Sequence, residues 1–260
     1  MTTTAPTQLS ALPRLVSRLV RRYHPVEVVL FGSCARGEAG PNSDVDLLLV
    51  VDTVQEQHAR ATVTAALGDG PVAKDVVVTT PERLSREGHL RGLVYRNALR
   101  EGRRLYRRRG ARTPWWEKAR EGTMTPEEVA AEARRWLKRA QTDLVGAAGL
   151  LELDPGLAGN ACFLAQQVAE KALKAALIYR GIDPPRTHDL KGLRGLLGDD
   201  AMAASWPDVS SLTVWVVQGR YPDPPEPTPS VAQPVVALSR EFVARVAEAL
   251  AREGLANDGV

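Results

Sequence analysis

The feature that most constrains this chain is where its strand signal stops. Three short runs dense in β-branched and aliphatic residues, Val26 to Phe31, Asp44 to Val51 and Val72 to Val78, all lie before residue 107, and none follows. Short apolar runs bounded by turn signals such as Gly32-Ser33 and Gly40-Pro41-Asn42-Ser43 read as strands buried on both faces. Helix-period segments alternate with them. Leu9 to Tyr23 carries Leu12, Leu15, Val16, Leu19 and Val20 on one face, Val54 to Leu67 and Leu84 to Glu101 follow, and Arg104 to Arg107 reads as a short edge strand. Strands alternating with helices predict a small sheet with flanking helices.

Beyond residue 124 only helices are expected. Thr125-Pro126-Glu127-Glu128 is a helix start, with a capping threonine, a proline in the first turn and acids that suit the dipole. That helix runs to about Leu151, Asp154-Pro155-Gly156 breaks it, and a second spans Leu157 to Arg180 before Gly181. Pro184-Pro185 precedes a third at His188 to Leu197, a less regular stretch covers Pro207 to Gly219, Tyr221 to Pro229 is a proline-rich loop, and a last helix spans Pro229 to Glu253. The expected organisation is an α+β domain over 1–107, a linker or docking segment over 108–124 containing Trp115-Trp116, and an all-α helical bundle over 125–260.

Composition narrows the class. A length of 260 residues suits one large domain or two small ones, and 44% hydrophobic with 25% charged residues is ordinary for a soluble globular protein. Cys34 and Cys162 are too far apart in the chain to suggest a disulfide framework, no apolar run is long enough to span a bilayer, and MTTTAPTQLS lacks the layout of a signal peptide. The expectation is a cytoplasmic protein with no membrane partner. Residues 1–120 hold 20 Lys+Arg against 12 Asp+Glu, a balance of +8, and the remainder hold 14 against 19, a balance of −5, together the net +3. The basic half is the one suited to a polyanion, and Arg100 to Arg112 packs seven arginines into thirteen residues.

The chemistry-bearing segment runs from Phe31-Gly32-Ser33-Cys34-Ala35-Arg36-Gly37 to Ser43-Asp44-Val45-Asp46-Leu47, with Asp75 in the third strand. Asp44 and Asp46, two apart in a strand, leave the same face, and two adjacent carboxylates repel unless cations neutralise them. Asp75 interrupts another apolar strand and completes a three-carboxylate cluster if the strands are neighbours. Such oxygen ligands suit Mg²⁺ or Mn²⁺. Paired ions of this kind clamp the attacking and leaving oxygens of a phosphoryl displacement. Gly32 and Ser33, at a strand end, offer N–H groups and a hydroxyl to a phosphate, and Arg36 adds positive charge.

This combination resembles the nucleotidyltransferase superfamily of DNA polymerase β, in particular its minimal members, over about residues 9–107 including NALREGRRLY. The resemblance implies a polymerase-β-like sheet, two divalent ions held by Asp44 and Asp46 with one shared by Asp75, help from Asp75 in deprotonating an acceptor hydroxyl, and a nucleoside triphosphate gripped by Gly32 and Ser33. The helix ACFLAQQVAEKALKAALIYRG, read from its pattern as a bundle helix with Gln166, Gln167, Glu170, Lys171 and Lys174 on a solvated face, precedes IDPPRTHDLKGL. Together with ARRWLKRAQTDLVGAAGLL and Arg220-Tyr221-Pro222, it resembles the HEPN family of helical domains over about 126–252. Many HEPN ribonucleases pair an Arg with a His, with four to six residues between them, but the positions so spaced before His188 are Gly181, Ile182 and Asp183. His188 is expected beside the Thr187 cap at a helix start or, with Arg186, as a contact to acceptor or nucleotide.

The two resemblances together imply transfer of a nucleoside monophosphate, AMP from ATP by family habit, to a hydroxyl of a protein, a small molecule or an RNA. Protein acceptors occur in toxin–antitoxin pairs of such domains. The alternative is a toxin-like RNA-binding or ribonuclease HEPN module regulated by the first domain. A homodimer through the HEPN part is also expected, since a helix with apolar and polar stripes suits an isologous contact.

Overall fold

Strands β1 (Glu27–Phe31) and β2 (Val45–Val50) run antiparallel at the centre of a four-stranded sheet of order β3-β2-β1-β4. β4 (Arg103–Arg107) is antiparallel to β1 on one edge, and β3 (Lys74–Thr79) is parallel to β2 on the other. The computed structural model describes residues 7–40, 43–67, 74–218 and 226–255, which divide between the compact units Met1–Thr123 and Met124–Val260. Val72, Ala73 and the segment Arg220-Tyr221-Pro222 lie outside the described residues.

Both faces of the sheet are covered, which is why β1 and β2 are continuous apolar runs. On one face, α1 (Thr7–Tyr23) and α3 (Glu56–Leu67) bring Leu12, Leu15, Leu19, Ala59 and Val63 onto Val28, Leu30, Leu47 and Leu49. On the other, α4 (Pro81–Glu87), α5 (Val94–Glu101) and α6 (Trp115–Glu121) pack Leu84, Leu99 and Trp115 onto Val29, Phe31, Leu48 and Val50. A short helix, α2 (Gly32–Arg36), follows β1 directly. The single helix expected over 84–101 is two: Gly92, at φ 78°, takes a left-handed conformation that ends helical geometry between α4 and α5.

The stretch expected as a linker or docking segment holds α6, and a buried carboxylate accounts for its place. Glu27 is fully buried and accepts hydrogen bonds from the indole N–H of Trp115 (3.2 Å) and of Trp116 (3.0 Å). Arg104 pairs with the same carboxylate and lies over the Trp116 ring, 5.0 Å from its centroid. A buried charge is tolerable only when so surrounded.

In the second unit, α7 (Pro126–Leu153), α8 (Ala158–Tyr179) and α12 (Pro229–Arg252) pack on one another. The shorter α9 (Leu190–Gly195), α10 (Ala201–Ala204) and α11 (Trp215–Gln218) lie between α8 and α12 in sequence. The capping box at Thr125 is formed, with Glu128 N–H donating to the threonine hydroxyl (3.2 Å) and Thr125 N–H to the Glu128 carboxylate (3.0 Å). Alanines along α8 let its neighbours approach closely, and Ser239 of α12 donates to the Ala165 carbonyl at 2.8 Å. The stripe expected as a solvated face of α8 is split: Gln166 is fully buried and Glu170 is 4% exposed, whereas Gln167, Lys171 and Lys174 are half-buried. Among the described residues no helix is long and apolar enough to cross a membrane.

Replacing Glu27 by alanine leaves two indole donors and a guanidinium without their acceptor, a loss of about 2–3 kcal/mol. Urea unfolding should show a lower midpoint with faster hydrogen exchange in β1, and Glu27→Gln, which keeps an acceptor, should lose less. An unchanged midpoint for Glu27→Ala would contradict this account.

Candidate active site

The apolar ladder stops at one end of the sheet, and there the acidic residues stand. Asp46, half-buried, is the one polar residue of β2; it lies opposite Phe31 of β1 on one side and opposite Asp75 of β3 on the other. Residues opposed in a ladder face the same way, so Asp46 and Asp75 share the face covered by α4, α5 and α6. Asp44, exposed, precedes β2 by one residue, and its carbonyl accepts from the Cys34 thiol at 3.3 Å. The Cys34 thiol is pushed up from its ordinary 9.0, first by burial and then by the charges of Asp46 and Asp44, so both carboxylates act on one point of α2.

Gly32 closes the other side. It has φ 71°, and a Cβ built on it would fall 2.1 Å from Oδ2 of Asp46. Only a residue without a side chain lets the β1–α2 turn approach that carboxylate. Ser33, half-buried, follows at the start of α2. Arg36 is at the other end of α2, exposed, and paired with Glu38 (2.7 Å) and Glu101 (2.6 Å). Glu101 is a partner the sequence did not suggest, because it comes from α5, 65 residues away.

The donor set fits a hard divalent cation: three carboxylates at neighbouring strand ends, one of them, Asp46, lying where a Cβ on Gly32 would otherwise stand. Among the described residues, no three Asp, Glu, His or Cys side chains are gathered as a metal site as they stand. Asp44, Asp46 and Asp75 thus share an end of the sheet without converging on a point.

Arg186 and His188 belong to the second unit and are both exposed. α9 begins at Leu190, two residues after His188, and the Thr187 hydroxyl accepts from Asp189 N–H (3.1 Å). Nδ1 of His188 meets Oε2 of Glu170 at 2.8 Å. Glu170 in turn accepts from Gln166 (3.1 Å) and from Lys174 (2.8 Å), whose ammonium lies 5.7 Å from the Trp136 ring centroid. Sequence reasoning missed Glu170 as the partner of His188; the repeated i, i+4 spacing of Gln166, Glu170 and Lys174 was the available signal.

Burial by itself would raise the Glu170 pKa. The Lys174 ammonium, with hydrogen bonds from Lys174, His188 and Gln166, outweighs it and holds the carboxylate below its ordinary 4.5. A group with a depressed folded-state pKa contributes stability above the unfolded value, and that contribution fades as pH falls through the folded one. The second unit should therefore lose stability as pH drops below 4.5, in thermal melts resolved by hydrogen exchange in α8. Glu170→Gln should flatten this dependence; an equally steep acid loss in that variant would assign it to other groups.

With this geometry in place, two family models match the chain: a nucleotidyltransferase domain over residues 12–107 and a HEPN domain over 133–250. No curated protein matches the sequence. Among solved structures, a nucleotidyltransferase-like protein from Exiguobacterium sibiricum aligns at 9% identity and TM-score 0.43, covering 97% of this chain and 81% of its own. A spectinomycin adenyltransferase from Enterococcus faecialis, crystallised with ATP and spectinomycin, aligns at 11% identity and TM-score 0.43, covering 92% and 98%. The two family matches carry the assignment: residues 12–107 of this chain are a nucleotidyltransferase domain, and residues 133–250 that follow are a HEPN domain.

Proposed function

We propose that this protein transfers a nucleoside monophosphate, AMP from ATP in the first instance, to a hydroxyl group and releases pyrophosphate. The observation that most supports this is the pairing of Asp46 with Asp75 across the β2–β3 ladder, with the Gly32 backbone against the Asp46 carboxylate. In this reading Asp44 and Asp46 hold Mg²⁺ or Mn²⁺, and Asp75 joins them at one ion. Bound there, the ions supply charge neutralisation of the triphosphate and of the oxygens exchanged at phosphorus.

The remaining work falls to the chain itself. The acceptor oxygen bonds to the α-phosphorus as the bond to pyrophosphate breaks, and Asp75 takes the hydroxyl proton. The Gly32 turn and the Ser33 hydroxyl hold phosphate oxygens. Arg36 reaches the triphosphate by giving up Glu38 or Glu101, exposed ion pairs whose loss costs about 0–1 kcal/mol each. The acceptor is a protein, small-molecule or RNA hydroxyl. The HEPN domain's part is to position it, with Arg186 and His188 as its contacts. The same reading includes a homodimer through residues 125–260; a monomer by light scattering at micromolar concentration removes that element alone.

Labelled ATP with candidate acceptors tests the chemistry. Asp75→Asn should lower turnover roughly 10²–10⁴-fold with nucleotide affinity little changed, because its work is on the acceptor. Asp44→Asn with Asp46→Asn should remove the gain in ATP affinity that Mg²⁺ gives in calorimetry. Gly32→Ala, which turns the Asp46 carboxylate aside, should behave like Asp46→Asn. RNA degradation in EDTA that is lost in His188→Ala and kept in Asp46→Asn would replace this reading with the ribonuclease one.

A further inference from the structure

The fold sorts six of the seven arginines of Arg100–Arg112, those from Arg103 onward, by partner. Arg104 is taken by buried Glu27, and Arg108 grips Asp52 with two bonds of 2.8 and 2.9 Å. Arg103, Arg107, Arg109 and Arg112 are exposed, and among the described residues none of the four has an acidic partner. β4 is an edge strand, so Arg103 and Arg107 stand along an open border of the sheet, and Arg109 and Arg112 follow it in the chain.

Tertiary structure extends the row at both ends. Arg108 N–H donates to the Val26 carbonyl (2.9 Å), which brings the end of β4 beside the turn after α1, and the last turn of α1 carries exposed Arg21 and Arg22. At the other end Arg103 is opposite Leu30, one residue before the Phe31 that faces Asp46. The row therefore leads along the sheet border toward the carboxylate end; Arg103 to Arg107 alone covers about 13 Å at strand rise. Guarding an edge against strand pairing requires charge only within the strand. Arg109, Arg112, Arg21 and Arg22 lie beyond it, and so many uncompensated guanidinium groups repel unless a polyanion neutralises them.

We infer that this border docks the phosphate backbone of an RNA strand, through guanidinium–phosphate contacts that do not read sequence. The choice of RNA rests on the proposed nucleotidyl transfer, whose acceptor hydroxyl an RNA terminus supplies twice over in its vicinal 2′ and 3′ groups.

Fluorescence anisotropy of a labelled single-stranded RNA with the full-length protein reads the docking without requiring activity. Four phosphate contacts give a log–log salt slope of about −3, hence roughly 50-fold weaker binding on going from ~50 to ~200 mM salt. The triple variant Arg103→Ala, Arg107→Ala, Arg109→Ala should make the slope shallower by about 2. Arg86→Ala, a surface arginine of α4 paired with Glu87, should change neither affinity nor slope. No binding at low salt, or an unchanged slope in a triple variant whose thermal melt matches wild type, overturns the docking surface; labelling from ATP that is equal for RNA with free and with blocked terminal 2′ and 3′ hydroxyls overturns the choice of RNA. Asp46→Asn should still bind RNA. Transfer to another acceptor without RNA binding would sink this inference alone, and RNA binding without any nucleotidyl transfer would sink the proposed function alone.

Discussion

Burial of β1 and β2 on both faces is the constraint on which the first unit depends. Each strand is sealed by helices above and below, and every interior position is aliphatic or aromatic except at two points. One is Glu27, where β1 begins, and the other is Asp46, where β2 begins. The two strands run antiparallel, so these positions lie at opposite ends of the sheet. At the first end the carboxylate is fully enclosed and neutralised by Arg104 and two indole donors. At the second it is only half-buried, flanked by a second carboxylate and a glycine turn. The same side-chain chemistry thus becomes a structural staple at one end and a candidate reactive centre at the other, and the difference is what surrounds it.

The HEPN domain shows the same logic in a helical setting. α8 carries polar residues at i, i+4 spacing, which on an exposed helix would form a solvated stripe. Here α7 and α12 close over it, and Gln166, Glu170 and Lys174 satisfy one another inside the domain. The outlet of that network is His188, whose side chain is half-exposed. Burial raises the stakes of each bond, because an unmatched charge in such a place is far costlier than on the surface.

Much of the fold was legible in the residues. The runs Val26–Phe31 and Asp44–Val51, the cap at Thr125 and the break at Asp154-Pro155-Gly156 are local signals, and the structure has β1, β2, the start of α7 and its end at those places. What was not legible is of one kind. A helix over 84–101 was expected because its periodicity runs through Gly88 and Gly92, yet the chain turns at Gly92. Residues 108–124 read as a linker or docking segment, and nothing in that segment reveals that Glu27, far away in sequence, is what its two tryptophans dock onto.

The candidate site divides in the same way. The sequence by itself determined which residue types are present, that Asp44 and Asp46 flank Val45, and that Asp75 interrupts an apolar strand, since composition and spacing are local properties. Only the tertiary structure decided that β3 lies parallel to β2 in the register that sets Asp75 against Asp46, that Gly32 turns against that carboxylate, and that Arg36 is held by Glu101. Register and long-range pairing follow from which surfaces bury each other, and a strand's own residues do not state which neighbour it will find.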